Sequence, residues 1–196
     1  PSDPNIVWAG SGEANGRNSS SWGDGVYRSA DGGGTWVNRG LRDTHSIARI
    51  VIDPGDPNTL YVAAMGHLWG FNKERGVYKT TDGGGTWNKL TRGLPETTGR
   101  IGLDVYRARP GTVYAVIESD AGGQSAIGEF RSRAGGVFRS DDSGDTWTRK
   151  SDLTPRSFYF SQVRVDPADD KRVYILGFLV HVSDDGGKTL AQLVPS

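Results

Sequence analysis

The chain has no cysteine among its 196 residues. That excludes disulfides, a thiolate nucleophile and any cysteine-ligated metal centre. It also lacks a charge of either sign in excess. Lys plus Arg number 23 and Asp plus Glu number 23. A nucleic-acid binder needs a basic stripe, and a membrane-surface protein needs a polybasic patch; a balanced chain offers neither globally. Long hydrophobic runs are missing too. The longest, Val173 to Val182, is broken by Gly177 and His181 and falls far short of a membrane span. No stretch shows sustained apolar spacing at the helical period.

What is abundant is glycine, 29 residues, together with six tryptophans in an aromatic share of 10%. Glycine-rich, aromatic-rich sequence without a helix-forming background predicts short strands joined by tight turns. An internal repeat confirms that direction. The segment GVYRSADGGGTW from Gly25 returns as GVYKTTDGGGTW from Gly76, as GVFRSDDSGDTW from Gly136, and more weakly as VHVSDDGGKTL from Val180. Its aspartates, Asp31, Asp82, Asp142 and Asp185, fall 51, 60 and 43 residues apart. Such a period suits a four-stranded propeller blade with insertions.

Each copy carries the same turn chemistry: Ser29, Asp31, Gly33 and Trp36; Thr80, Asp82, Gly84 and Trp87; Ser140, Asp142, Gly144 and Trp147; Ser183, Asp185 and Gly187, with Leu190 in place of the tryptophan. Hydroxyl and carboxylate side chains bond backbone N–H groups within a turn, and glycine supplies positive φ. These aspartates are therefore expected to stabilise turns and not to catalyse. Trp36, Trp87 and Trp147 are expected to be largely buried between adjacent blades. Strands read around the hairpins give an incomplete blade over 1–40 and full blades over 41–92, 93–150 and 151–196. The fold class is all-β, a propeller of about four blades that do not close a ring unaided. The expectation is that its open sides expose apolar faces lined by Val62, Ile101, Val116 and Val163.

The pattern Ser/Thr-x-Asp-x-Gly-x-Thr-Trp resembles the Asp-box, or bacterial neuraminidase repeat. The stretches GRNSSSWGDGVYRSADGG and AMGHLWGFNKERGVYKTTDGG resemble large exported bacterial proteins labelled glycosyl-hydrolase-like or sortilin-like. The resemblance implies an extracytoplasmic setting and no cofactor. Asp-box propellers include sialidases, xyloglucan-cleaving hydrolases, sortilin-type receptors and photosystem assembly factors, so the repeat does not fix function. A sialidase-like site would need an arginine triad, a Tyr–Glu pair and an acid/base Asp. The Arg-Ile-Pro signature before the first box is absent, and Arg109-Pro110 lies in a strand-to-strand turn. Xyloglucanase-like enzymes set two carboxylates across a cleft between two propellers, of which one short chain supplies at most half.

In a blade, the box turns and the one-to-two turns share one face. The insertions Ser11 to Asp24, Met65 to Arg75 and Ser119 to Gly135 emerge on the other. Loops on a rigid scaffold carry function, so the ligand is placed there. Arg17, Trp22, His67, Trp69 and Arg75 are the candidate ligand-binding residues. Glu13 with Asp24 forms either an acid/base pair or a salt bridge with Arg17. The connectors add Arg42, Asp43, His45, Arg100, Arg156 and Tyr159. Three scattered histidines make no metal site, and no catalytic residue is assigned. The leading reading is a protein- or glycan-binding or assembly module, completed by a protein partner or a second copy. The alternatives are a glycoside-hydrolase fragment whose other catalytic groups lie elsewhere, and a structural subunit.

Overall fold

A computed structural model describes residues 3–15, 20–70, 72–119, 132–155 and 162–193. Among the described residues, fifteen strands form four antiparallel sheets. The first has three strands, β1 (Val7–Gly10), β2 (Val26–Ser29) and β3 (Val37–Asn38). The second runs β4 (Ile47–Ile52), β5 (Leu60–Ala64), β6 (Gly76–Thr80) and β7 (Asn88–Leu90). The third runs β8 (Ile101–Val105), β9 (Val113–Ile117), β10 (Gly136–Ser140) and β11 (Thr148–Ser151). The fourth runs β12 (Gln162–Val165), β13 (Val173–Leu176), β14 (Val180–Ser183) and β15 (Ala191–Gln192). Strands pair strictly with their sequence neighbours, the up-and-down order of propeller blades. A single turn of 3-10 helix, Arg42–Thr44, joins the first two sheets. No helix among the described residues is long and apolar enough to cross a membrane.

The chain divides into two compact units, Pro1–Lys89 and Leu90–Ser196. Each has its own core. In the first, Val26, Ile47, Val62 and Ala64 are buried, with Trp8, Ile50, Tyr78 and Trp87 packed against them. In the second, Tyr114, Val116, Val137, Val163, Val173 and Ile175 are buried together. The central strands β5 and β9 are buried along their whole length, which is why LYVAA and VYAVI read as continuous apolar runs. Close approach explains Gly10: a Cβ there would come within 2.5 Å of Ile47. Gly136 sits at φ 142°, where a Cβ would meet the Ser151 carbonyl oxygen at 1.9 Å. Gly25, before the same Val-aromatic pair in the first copy, meets the Gly40 carbonyl oxygen in the same way, at 2.0 Å.

The expectation that Val62, Ile101, Val116 and Val163 line open faces is wrong. All four are buried. Val62 is enclosed by the first unit's core, and Val116 and Val163 meet in the second. Neighbouring sheets already cover them, so they belong to interior contacts.

The repeat turns share one hydrogen-bond set. In the first, the Ser29 hydroxyl donates to Asp31 (2.7 Å) and accepts from the Gly33 N–H (2.8 Å). Asp31 also accepts the Thr35 N–H (2.8 Å) and the Thr35 hydroxyl (2.7 Å). The same set recurs through Thr80, Asp82, Gly84 and Thr86, through Ser140, Asp142, Gly144 and Thr146, and through Ser183, Asp185, Gly187 and Thr189. A second repeated bond ties each turn to its own blade's one-to-two turn. Gly32, Gly83, Ser143 and Gly186 donate their N–H groups to the carbonyls of Asn5, Asn58, Gly111 and Lys171.

These bonds favour the ionised carboxylates. Asp31 is pulled down to about 2, chiefly by the Ser29 hydroxyl, and Asp142 to about 2 by the Thr146 hydroxyl. Asp185 is likewise held at about 2, mainly by the Thr189 N–H, and Asp82 lies well below the ordinary range, held by the Thr86 N–H. A folded-state value below the unfolded one stabilises the fold above the unfolded value, ordinarily 3.8, and that contribution vanishes as pH falls through about 2. Thermal midpoints followed by circular dichroism should therefore hold steady from neutral pH to about pH 4.5 and fall steeply between about pH 4 and pH 2. A variant with all four aspartates changed to Asn should start lower and lose much of that acid slope. An unchanged slope would show that the turns do not govern acid stability.

Candidate functional site

In the first unit, three segments meet at the end of the blades opposite the repeat turns. The insertion between β1 and β2 is pinned at its root. The Ser11 hydroxyl donates to the Gly25 carbonyl and accepts the Asp24 N–H, both at 2.8 Å. The connector Leu41–Ser46 closes on it, with the Gly23 N–H donating to the His45 carbonyl (2.7 Å) and the Ile47 N–H to the Ser11 carbonyl (3.0 Å). The insertion after β5 joins through the Met65 N–H, which donates to the Ser46 carbonyl at 2.8 Å.

An aromatic cluster forms at this junction. The imidazoles of His45 and His67 lie 3.8 Å apart between centroids at a 38° tilt. Trp22 meets them edge-on, 5.0 Å from His45 and 6.3 Å from His67. Trp22 is 73% exposed, and Trp69, two residues beyond His67, is 67% exposed. His45 occupies the centre of a tight three-residue turn, at φ 55° and ψ −38°, with the Ser46 N–H donating to the Thr44 carbonyl at 2.5 Å. Backbone held in such a sparsely populated region costs about 1–3 kcal/mol and collects at functional sites. The His45 Nδ1 is shielded and has no hydrogen-bond partner among the described residues.

The structure therefore brings Trp22 and His67 together, with Trp69 close by in sequence. Arg75 plays a different part. Its Nε donates to the Met65 carbonyl at 2.5 Å and its Nη2 to the His67 carbonyl. It is turned back onto its own loop and positions the residues that face solvent. Arg17 lies outside the described residues, as do Arg156 and Tyr159. The carboxylate of Asp24 accepts the Tyr27 hydroxyl (2.6 Å) and faces Arg42 Nη1 at 3.3 Å, so it is held in a local network. Arg100 is buried in the second unit, where burial lowers its pKa against the opposing charge of Glu118. Among the described residues, no three His, Asp or Glu side chains converge as metal ligands.

Of the repeat tryptophans, Trp147 is 5% exposed, Trp87 half-buried and Trp36 42% exposed. Burial of Trp36 is thus a failed expectation, and the cause is its neighbourhood. Trp87 lies against the Arg39–Gly40 turn, donating Nε1–H to the Arg39 carbonyl at 2.6 Å. Trp147 is backed by Arg92–Gly93. No such turn lies against Trp36 among the described residues.

One repeated interaction escaped sequence reasoning. The cation after each Val-aromatic pair stands over an aromatic ring directly across the ladder: Arg28 over Trp8 (5.9 Å), Lys79 over Tyr61 (5.9 Å) and Arg139 over Tyr114 (5.3 Å). The signal was the fixed Arg or Lys of GVYR, GVYK and GVFR. The fourth copy puts Val182 opposite Tyr174 and has no such pair.

No protein-family model matches the chain. The oligoxyloglucan-reducing end-specific xyloglucanase of Emericella nidulans is 31% identical over 111 residues, 56% of this chain. The chain spans 13% of that relative's length. Among solved structures, the GH74 xyloglucanase from Xanthomonas campestris matches the whole chain with a TM-score of 0.68 at 18% identity, over 29% of its own length. YCF48 bound to D1 peptide matches 99% of the chain with a TM-score of 0.55 at 14% identity, over 51% of its length. An enzyme and a peptide-bound protein thus share this architecture, and the fold is that of a β-propeller.

Proposed function

We propose that the chain is a glycan-binding part of a propeller glycoside hydrolase acting on xyloglucan-type polysaccharide outside the cytoplasm. The observation that carries this is the exposed Trp22 ring standing edge-on to the His45–His67 stack, with Trp69, also exposed, two residues beyond His67. Large aromatic faces left in water on a braced loop suit the C–H faces of sugar rings, and imidazole nitrogens suit their hydroxyls. Arg75 and the Ser11 bonds hold the platform in shape before any ligand arrives. Asp24 is engaged by Tyr27 and Arg42, an arrangement that suits a binding role for this surface. The acid and base carboxylates belong to other parts of the protein, which further blades complete. The xyloglucanase relative supports the substrate class. The protein-assembly reading has no comparable support, because the likeness to YCF48 is one of fold.

Titrating the polypeptide with a xyloglucan heptasaccharide should give a saturable heat. Trp22→Ala and Trp69→Ala should each weaken it roughly tenfold, about 1.4 kcal/mol per stacking contact, with the melting temperature unchanged. Absence of binding, or binding that survives the double variant, would reject the proposal.

A further inference from the structure

A groove lies in the Leu90–Ser196 unit, remote in sequence from the Trp22–His45–His67 cluster. It has a volume of about 540 Å³ and is lined by Arg149, Lys150, Ser151, Asp152, Leu153 and Lys188, with Thr189 and Leu190 at its end. Three cations thus face one carboxylate, in a chain whose formal charge is zero.

Carbonyls hold Arg149, and Lys150 acts on Asp141 only from a distance, helping to hold that carboxyl down. Arg149 donates Nε–H to the Gly135 carbonyl at 2.8 Å and Nη2–H to the Ser132 carbonyl. Carbonyls satisfy its donors and fix its position without cancelling its charge. Neither Lys150 nor Lys188 forms an ion pair among the described residues. The Lys150 stem lies along the backbone of the repeat turn, its Cβ 3.5 Å from where a Gly187 Cβ would stand. The Lys188 N–H donates to Asp185 at 3.0 Å, anchoring that lysine at the groove edge. The Ser151 hydroxyl is shielded at the groove wall and has no hydrogen-bond partner among the described residues. Converging positive charge with an unused hydroxyl is a site for an anionic oxygen group. A carboxylate or sulfate alone displaces few waters of about 30 Å³ each, whereas this volume falls within the roughly 300–1,000 Å³ of organic ligand sites. Size therefore calls for a sugar ring and charge for a carboxylate on it.

We propose that this groove binds an acidic sugar, a uronate residue of a polysaccharide, its carboxylate between Lys150 and Lys188. The site is separate from the aromatic platform and does not rest on the xyloglucan reading. The probe is trigalacturonate, titrated into the full polypeptide, with neutral xyloglucan heptasaccharide and sodium sulfate as parallel titrants. Trigalacturonate should bind. The double variant Lys150→Gln, Lys188→Gln should weaken it at least about tenfold, leaving the melting temperature and the heptasaccharide titration unchanged. If the double variant does not fold, Lys188→Gln alone, on an exposed turn, should weaken binding severalfold. The proposal is overturned if trigalacturonate does not bind the parent protein, if the lysine variants bind it equally well, or if sulfate binds as tightly as the trimer, which would mark a free-anion site only.

Discussion

Trp147→Ala should lower unfolding stability by about 3–5 kcal/mol, whereas Trp36→Ala should cost less than about 1 kcal/mol. Both residues hold the same place in the repeat. Trp147 is almost wholly buried, its Nε1–H donating to the Gly144 carbonyl at 2.9 Å and its main-chain N–H to the Arg92 carbonyl at 3.0 Å. Truncation leaves a ring-sized cavity and an unmet carbonyl. Trp36 keeps 42% of its surface in water, so its removal gives up little. Trp87→Ala should fall between them. Urea denaturation of the three variants reads the order directly. Equal losses would mean that position in the repeat, and not the packing of each ring, decides the effect.

Arg139→Ala should be the other large loss, about 3 kcal/mol. Its Nη2 meets Asp170 at 2.5 Å and Asp141 at 2.7 Å, and its Nη1 donates to the Tyr114 hydroxyl at 2.7 Å. That hydroxyl donates onward to the Asp170 carbonyl at 2.7 Å. Burial pushes the Tyr114 phenol up to about 12, so it remains a donor throughout the ordinary pH range. The guanidinium is only 11% exposed and Asp170 only 21%, so removing the cation strands a carboxylate that solvent reaches poorly. Arg109, 2.6 Å from Asp170, compensates in part. Lys at 139 should recover less than half, since an ammonium cannot span both carboxylates and the phenol at once. A loss below about 1 kcal/mol would class the network with ordinary surface pairs.

The blades were legible because their grammar is local. A hydroxyl, a carboxylate and a glycine at fixed spacing dictate a turn whatever surrounds it, and the strands on either side follow from β-branched and aromatic runs. Burial was less legible. From sequence, Val62 and Val116 read as open-face residues, because a single strand does not show which sheet will cover it. Trp36 reads as interior because its own repeat looks like the others, while its exposure depends on a neighbouring turn. The aromatic cluster needed three dimensions: Trp22, His45 and His67 come from three separate segments, drawn together by bonds such as Gly23 to His45 and Met65 to Ser46. Arg75 looked like a ligand group by type, yet the direction of its guanidinium makes it a brace. The cations over the aromatic rings were visible as a pattern, but their meaning required the register of the ladder.

The side-chain bonds inside each repeat turn span no more than seven residues, as from Ser29 to Thr35, and the one longer bond ties the turn to its own blade's neighbouring turn. Strand alignment is therefore set at one end of a blade. The opposite end is free to lengthen, since the chain entropy of closing a loop grows only with the logarithm of its length. The segments between β1 and β2, between β5 and β6 and between β9 and β10 differ widely in length, while the turns after β2, β6 and β10 barely change. Each blade is in this sense a hinge-pinned page: the spine is invariant in its chemistry, and the free edge can be rewritten for a new ligand without loosening the binding.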